Sequence, residues 1–143
     1  MRTLALASIA LLAFVGCTAP VRIYPARGPL AEQRPVPVIT AQVTGLASGT
    51  ISLRLPSGEK CEGPWALVPQ ERVDNKLSSL WDSIYGQENY TAKVLGARWH
   101  GSGLISRTLG AKIELELFRE TVKGSPLQGV ARDDSGNEYK ITQ

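Results

Sequence analysis

The chain has one histidine, His100, and two cysteines, Cys17 and Cys61. A thiol becomes an effective nucleophile only beside a base, so a Cys/His hydrolase pair would have to join Cys61 to His100. No motif in the sequence joins the two, and the more ordinary reading of Cys61 is an inert, buried thiol behaving as a small apolar residue. A single histidine excludes a multi-histidine metal centre. Asp133, Asp134 and Asn137 have the composition of a calcium loop but lack its spacing and its distal glutamate. Gly101-Ser102-Gly103 lacks the flanking residues of a phosphate loop or a dinucleotide fingerprint. The aromatic residues are more suggestive. Trp81 falls on an apolar helical face and Trp65 on the inner face of a hairpin, which leaves Trp99, in a turn-like RWHGSG, as the aromatic expected to be exposed, with Trp99, Arg98 and His100 the candidate ligand contacts against the ordinary reading of packed or solvated surface residues. No catalytic set, metal site or cofactor is expected.

The elements that must position these residues are mostly strands. In Thr50–Leu55, Ile51, Leu53 and Leu55 alternate with Thr50, Ser52 and Arg54, the period of a strand with one buried face. A three-residue turn at Pro56-Ser57-Gly58, with Gly58 at positive φ, sets Leu53 opposite Cys61 and Ile51 opposite Gly63. Cys61 then faces the core while Lys60 and Glu62 face water. A second Ser-Gly turn at Asp134-Ser135-Gly136 pairs Arg132 with Glu138 outside and Ala131 with Tyr139 inside. Between the hairpins, Val73, Leu77, Leu80, Trp81, Ile84 and Tyr85 share one helical face, and Gly86 stands where a C-terminal cap belongs, which predicts a helix over about 72–85. YTAKVLGARW (90–99) and KIELELF (112–118) read as strands, the latter strictly alternating. The expected fold is mainly β: an antiparallel sheet forming a small barrel or sandwich, with one amphipathic helix across an open end or face.

The N-terminal residues concern location. Met1 and Arg2 precede an apolar run, Leu4–Val15, too short for a helix that needs roughly 20 apolar residues to cross a bilayer but suited to a secretory signal. Cleavage at a simple small-residue site would allow a Cys17–Cys61 disulfide. The alternative is carried by Phe14-Val15-Gly16-Cys17, which resembles the lipobox of bacterial lipoproteins. That resemblance implies residues 1–16 as signal peptide, diacylglycerol on the Cys17 sulfur, cleavage before Cys17, and in many bacteria acylation of the new amino group with a chain such as palmitate. Thr18, rather than Asp, follows the cysteine, which by the same resemblance favours the outer membrane, facing the periplasm; in a one-membrane organism the protein would sit on the outer face. Residues 17–37 contain five prolines and read as a tether, with a first edge strand at Val21–Tyr24 as the alternative. The globular domain is then 38–143.

Loss of residues 1–16 would leave 127 of 143 residues, enough for one domain with a real core. The whole chain carries 16 basic and 13 acidic residues, interspersed, too weak a balance to imply nucleic acid. The hairpin LPSGEKCEGPW and the closing GVARDDSGNEY resemble a family of small, uncharacterised bacterial envelope lipoproteins that share LP-x-G-E-x-C-x-G-x-W and G-x-A-x-D-x-x-G-N-x-Y. Cys61, Gly63, Trp65, Gly129, Asp133, Gly136, Asn137 and Tyr139 fall on the shared pattern. The resemblance implies a Gram-negative envelope location and transfers no activity. The expected function is a lipid-anchored, non-enzymatic binding or structural module attached to the membrane through Cys17, with an envelope protein as a partner. The alternative is an inhibitor or accessory subunit of an envelope enzyme or transporter, making contact through residues 98–109.

Overall fold

The computed structural model describes residues 16–70, 76–121 and 124–143. Eight antiparallel strands run in sequence order around a closed barrel: β1 (Thr18–Arg27), β2 (Ile39–Thr44), β3 (Ser48–Arg54), β4 (Lys60–Leu67), β5 (His100–Ser106), β6 (Lys112–Phe118), β7 (Gln128–Asp133) and β8 (Glu138–Thr142). β1 closes the barrel on β8 through pairs such as Ile23–Ile141. Closure satisfies the strand edges that an open sheet would leave unpaired.

The alternating strands point Ile51, Leu53, Ile113, Leu115, Leu117, Ala131 and Ile141 inward, where with Val21, Ile23, Cys61 and Tyr139 they build one apolar core. Charged and polar side chains such as Thr40, Gln42, Arg54, Lys60, Glu62, Lys112 and Arg132 are exposed outside. This is the reverse of the apolar-out, polar-in pattern of barrels that span membranes. The interior is filled: the residual void among Ile23, Leu53, Ile105, Leu115 and Tyr139 is about 10 Å³, at or below what one water requires. Gly63 lets the wall close this tightly, because a Cβ there would lie 2.3 Å from the Leu104 carbonyl oxygen and 2.7 Å from the Ile105 Cα.

The hairpin registers agree with expectation: Leu53 pairs with Cys61 and Ile51 with Gly63, and Ala131 pairs with Tyr139 and Arg132 with Glu138. The charges of the last pair are used sideways. Arg132 binds Glu114 at 3.2 Å and Glu138 binds Arg27 at 3.3 Å.

Two expectations need correction. Residues 17–37 are not a tether, since Thr18–Arg27 is a full barrel strand. Proline should weaken a strand flanked on both sides, but Pro20 lies where β1 pairs only with β2, and Pro25 where it pairs only with β8, at an irregularity before Arg27. The alternation of buried Val21, Ile23 and Pro25 with Arg22 and Tyr24 decides the matter. The alternative first strand is therefore nearer the mark, though it is no edge. Second, Tyr90–Val94 is a π-helical turn rather than a strand, burying Tyr90 and Val94 on one side; four-residue spacing serves a helical turn as well as alternation serves a strand.

The helix α1 spans Ser78–Tyr85 and ends at Gly86, φ 114°. Residues 72–75 of the expected helix, with Val73, lie outside the described residues. α1 covers neither barrel end; it packs outside, where Leu77, Leu80, Trp81, Tyr90 and Val94 meet the outward-facing Phe118 and Val130 in a second apolar cluster.

Tyr85 locks α1 to the sheet. Its hydroxyl lies 2.8 Å from the Ile141 carbonyl oxygen and 3.0 Å from that of Gly129, and accepts the Gly129 N–H at 3.3 Å. Burial pushes its pKa up to about 12. Between about pH 10 and 12 the unfolded chain loses this proton while the folded chain keeps it, so stability falls as pH rises through that window. Thermal melts should show this decline, and Tyr85→Phe should make it shallower; Tyr139, whose hydroxyl is also held up by burial and by Asp133, and the buried Cys61 thiol contribute in the same direction.

Candidate functional site

The two barrel ends differ. At one end the turns after β1, β3, β5 and β7 are tied together by polar bonds. Asp133, 6% exposed, accepts the Ser135 and Asn137 N–H groups at 2.9 Å each on one oxygen; on the other it accepts the Asn137 side-chain amide at 3.0 Å and the Tyr139 hydroxyl at 2.6 Å. Arg107 approaches this second oxygen at 3.8 Å and Glu59 at 3.3 Å. Asn137 accepts the Leu30 N–H at 2.8 Å, tying in the β1–β2 loop. At Gly28, φ 92°, a Cβ would sit 2.4 Å from the Gly136 carbonyl oxygen. The cluster that has the composition of a calcium loop is thus a hairpin turn whose buried carboxylate is occupied by internal donors.

The opposite end, hereafter the mouth, is open. A cleft of about 760 Å³ is lined by Cys17, Ala19, Val43, Leu46, Leu67, Trp99, Leu127 and the two cations Arg98 and Arg119, among others. The Cys17 carbonyl accepts the Gly45 N–H at 3.0 Å, which fixes the cysteine directly on the rim ahead of β1. Its side chain is exposed. Leu46, in the β2–β3 turn, is 70% exposed. Trp99 points into the mouth beside Trp65, ring centroids 5.2 Å apart, and its indole N–H donates to the Leu46 carbonyl at 3.1 Å. The Arg119 guanidinium lies 5.4 Å above the Trp99 ring, within cation–π range.

The trio Arg98, Trp99 and His100 is split by the alternation leading into β5. Arg98 is exposed at the rim. Trp99, expected to be exposed, is only 7% exposed and lines the mouth. His100 is in a strand rather than a turn, faces outward, and is buried beneath α1 and the π-helical turn. Its Nε2 lies 3.2 Å from a Glu116 carboxylate oxygen that also accepts the Trp81 indole N–H at 2.8 Å, and its ring meets Tyr90 edge-on at 6.2 Å. A buried carboxylate needs such partners. Sequence reasoning missed Glu116, visible only as an outward position of KIELELF; it missed Arg119 and Leu46, whose neighbourhood is set by turns.

Cys61 and His100 do not form a catalytic pair. Cys61 is inside the barrel near the β3–β4 turn, whereas His100 is outside at the mouth end. Burial pushes the Cys61 thiol above its ordinary pKa, which disfavours the reactive thiolate. The two cysteines are free. Among the described residues, no helix is long and apolar enough to cross a membrane. No family model, curated protein or solved structure matches the chain.

Proposed function

We propose that the protein is a lipid-anchored, non-enzymatic binding module of the bacterial cell envelope, held to the outer membrane through Cys17 and facing the periplasm, with its barrel mouth turned toward the bilayer. The observation that carries the reading is the place of Cys17 on the mouth rim, one residue before β1. A lipid at that position leaves no tether between barrel and membrane. Exposed Leu46 and the cations Arg98 and Arg119 suit an interfacial environment, where an apolar contact sits beneath anionic head groups. The non-enzymatic part of the reading is supported by the internal hydrogen bonding of the buried polar groups Asp133, Asn137, Tyr139, His100 and Glu116. Fractionation of cells after an alkaline carbonate wash tests it: wild-type protein stays with membranes and Cys17→Ala moves to the soluble fraction. Equal retention of both would sink the anchor.

One observation favours the second reading, an inhibitor or accessory subunit that grips a partner. Residues 98–109 are not a loop, since 100–106 form β5, but the turn after β5 presents Leu109, fully exposed, at the end remote from Cys17. Leu109 sits at φ 61°, ψ 24°, a left-handed conformation costly for a side chain with a Cβ. Thr108 beside it is held by Glu59, which accepts its N–H and hydroxyl at 2.7 Å each. A strained, exposed leucine on a fixed turn is the form of a contact residue. Leu109→Asn should raise stability by about 0.5–1 kcal/mol by relieving the conformation, measured by chemical denaturation, while reducing recovery of a specific envelope protein crosslinked in cells. A stabilised variant with undiminished crosslinking rules the contact out.

A further inference from the structure

We propose that the mouth cleft houses an acyl chain carried by Cys17 itself, so that part of the anchor's lipid lies within the protein. This rests on the lipidation read above and goes beyond it by naming where one chain goes. The barrel interior cannot take it, because its residual void is about 10 Å³. The mouth cleft, about 760 Å³, falls within the roughly 300–1,000 Å³ of small-molecule sites.

Its lining suits a hydrocarbon. Ala19, Val43, Leu46, Leu67, Trp99 and Leu127 supply apolar wall. Two polar groups of the apolar wall are satisfied inside the protein: the Trp99 indole N–H donates to the Leu46 carbonyl, and the Leu127 N–H donates to the Gln143 side chain at 3.1 Å. Burial of methylenes against such an apolar wall is favourable. The charged side chains on the cleft are both cationic, Arg98 and Arg119. They complement the ester carbonyls and phosphates at a bilayer surface.

Attachment decides between sources of the chain. The hydrogen bond from Gly45 fixes the Cys17 backbone on the cleft wall, so a lipid on its sulfur starts at the cleft. Intramolecular attachment gives that chain a high effective concentration that a free fatty acid or a bilayer phospholipid lacks.

The test uses the protein as cells make it. Cells are grown with a palmitate analogue bearing a terminal diazirine, and the protein is purified from membranes in detergent. Its intact mass is recorded, then it is irradiated and its crosslinked peptides are mapped. The expected result is a lipid mass on Cys17 with intrachain crosslinks to Val43, Leu67 or Leu127. Ala19→Phe, which fills the cleft from its rim, should keep the lipid mass and lower those crosslinks by about tenfold, one decade of the occupancy equilibrium. The wild-type map stands without the variant. A lipid mass with crosslinks only to detergent or co-purified lipid overturns the housed chain and leaves the anchor intact. An unlipidated mass overturns the anchor and this inference together. Equal labelling of the mouth in Cys17→Ala by the free diazirine palmitate makes the occupant a free fatty acid and also overturns the proposal.

Discussion

Asp133→Ala destabilises the barrel by about 3–5 kcal/mol, the range for breaking a buried charged cluster by removing one partner. For a domain of this size that lowers Tm by roughly 10–20 °C. The side chain is 1% exposed, and four donors converge on it: two backbone N–H groups, the Asn137 amide and the Tyr139 hydroxyl. Alanine leaves all four, and Arg107 beside them, without their acceptor in a region that water does not freely reach. An unsatisfied buried group costs about 1–3 kcal/mol by itself. The loss is shared among groups that relax together, so the sum of single costs overstates it. Asp133→Asn keeps an acceptor and the shape, and should cost less than half as much. Chemical denaturation of the two variants checks the ordering; equal stability of Asp133→Ala and wild type would mean that the turn does not close this end of the barrel.

The second large effect concerns the helix. Trp81→Ala should cost about 3–5 kcal/mol, as for other buried aromatic truncations. Trp81 is fully buried between α1 and the sheet, packs edge-on against Phe118 at 6.4 Å, and donates to Glu116. Truncation opens a cavity and removes the indole donor from a buried carboxylate, leaving it, among the described residues, only the His100 contact. Trp81→Phe keeps most of the volume and loses the N–H, so its cost should be about 1–3 kcal/mol. Hydrogen exchange adds a distinction that denaturation does not. Because α1 lies outside a closed barrel, Trp81→Ala should abolish protection in residues 78–94 while barrel amides stay protected. Uniform loss of protection would mean that helix and barrel form one cooperative unit.

How much of this was legible in the sequence follows from physical range. The two Ser-Gly hairpins were readable because register is set by the turn and by strict alternation within a few residues, as Leu53–Cys61 and Ala131–Tyr139 show. KIELELF was readable for the same reason. Thr18–Arg27 was misread because two prolines outweigh a short alternation unless one knows that each proline lies where only one neighbouring strand is present. Tyr90–Val94 was misread because a short apolar pattern fits a helical turn and a strand alike. The site was least legible. Arg98, Trp99 and His100 are adjacent in sequence, yet one strand's alternation sends them to the rim, the mouth and the underside of the helix. Glu116 meets His100 across the β5–β6 pairing and gains Trp81 only when the helix folds over β6, both long-range events with no local signal. Cys17 was marked by its motif, but its place on the open mouth depended on β1 closing the barrel.

The central claim, a barrel anchored at its mouth through Cys17, is tested most directly by the intact mass of the mature chain from cells beside that of Cys17→Ala. The expected wild-type chain begins at Cys17 and carries the mass of a diacylglyceryl group, with or without a further acyl chain, and the variant lacks that mass. A wild-type mass equal to the bare polypeptide, with Cys17 unmodified, would contradict it.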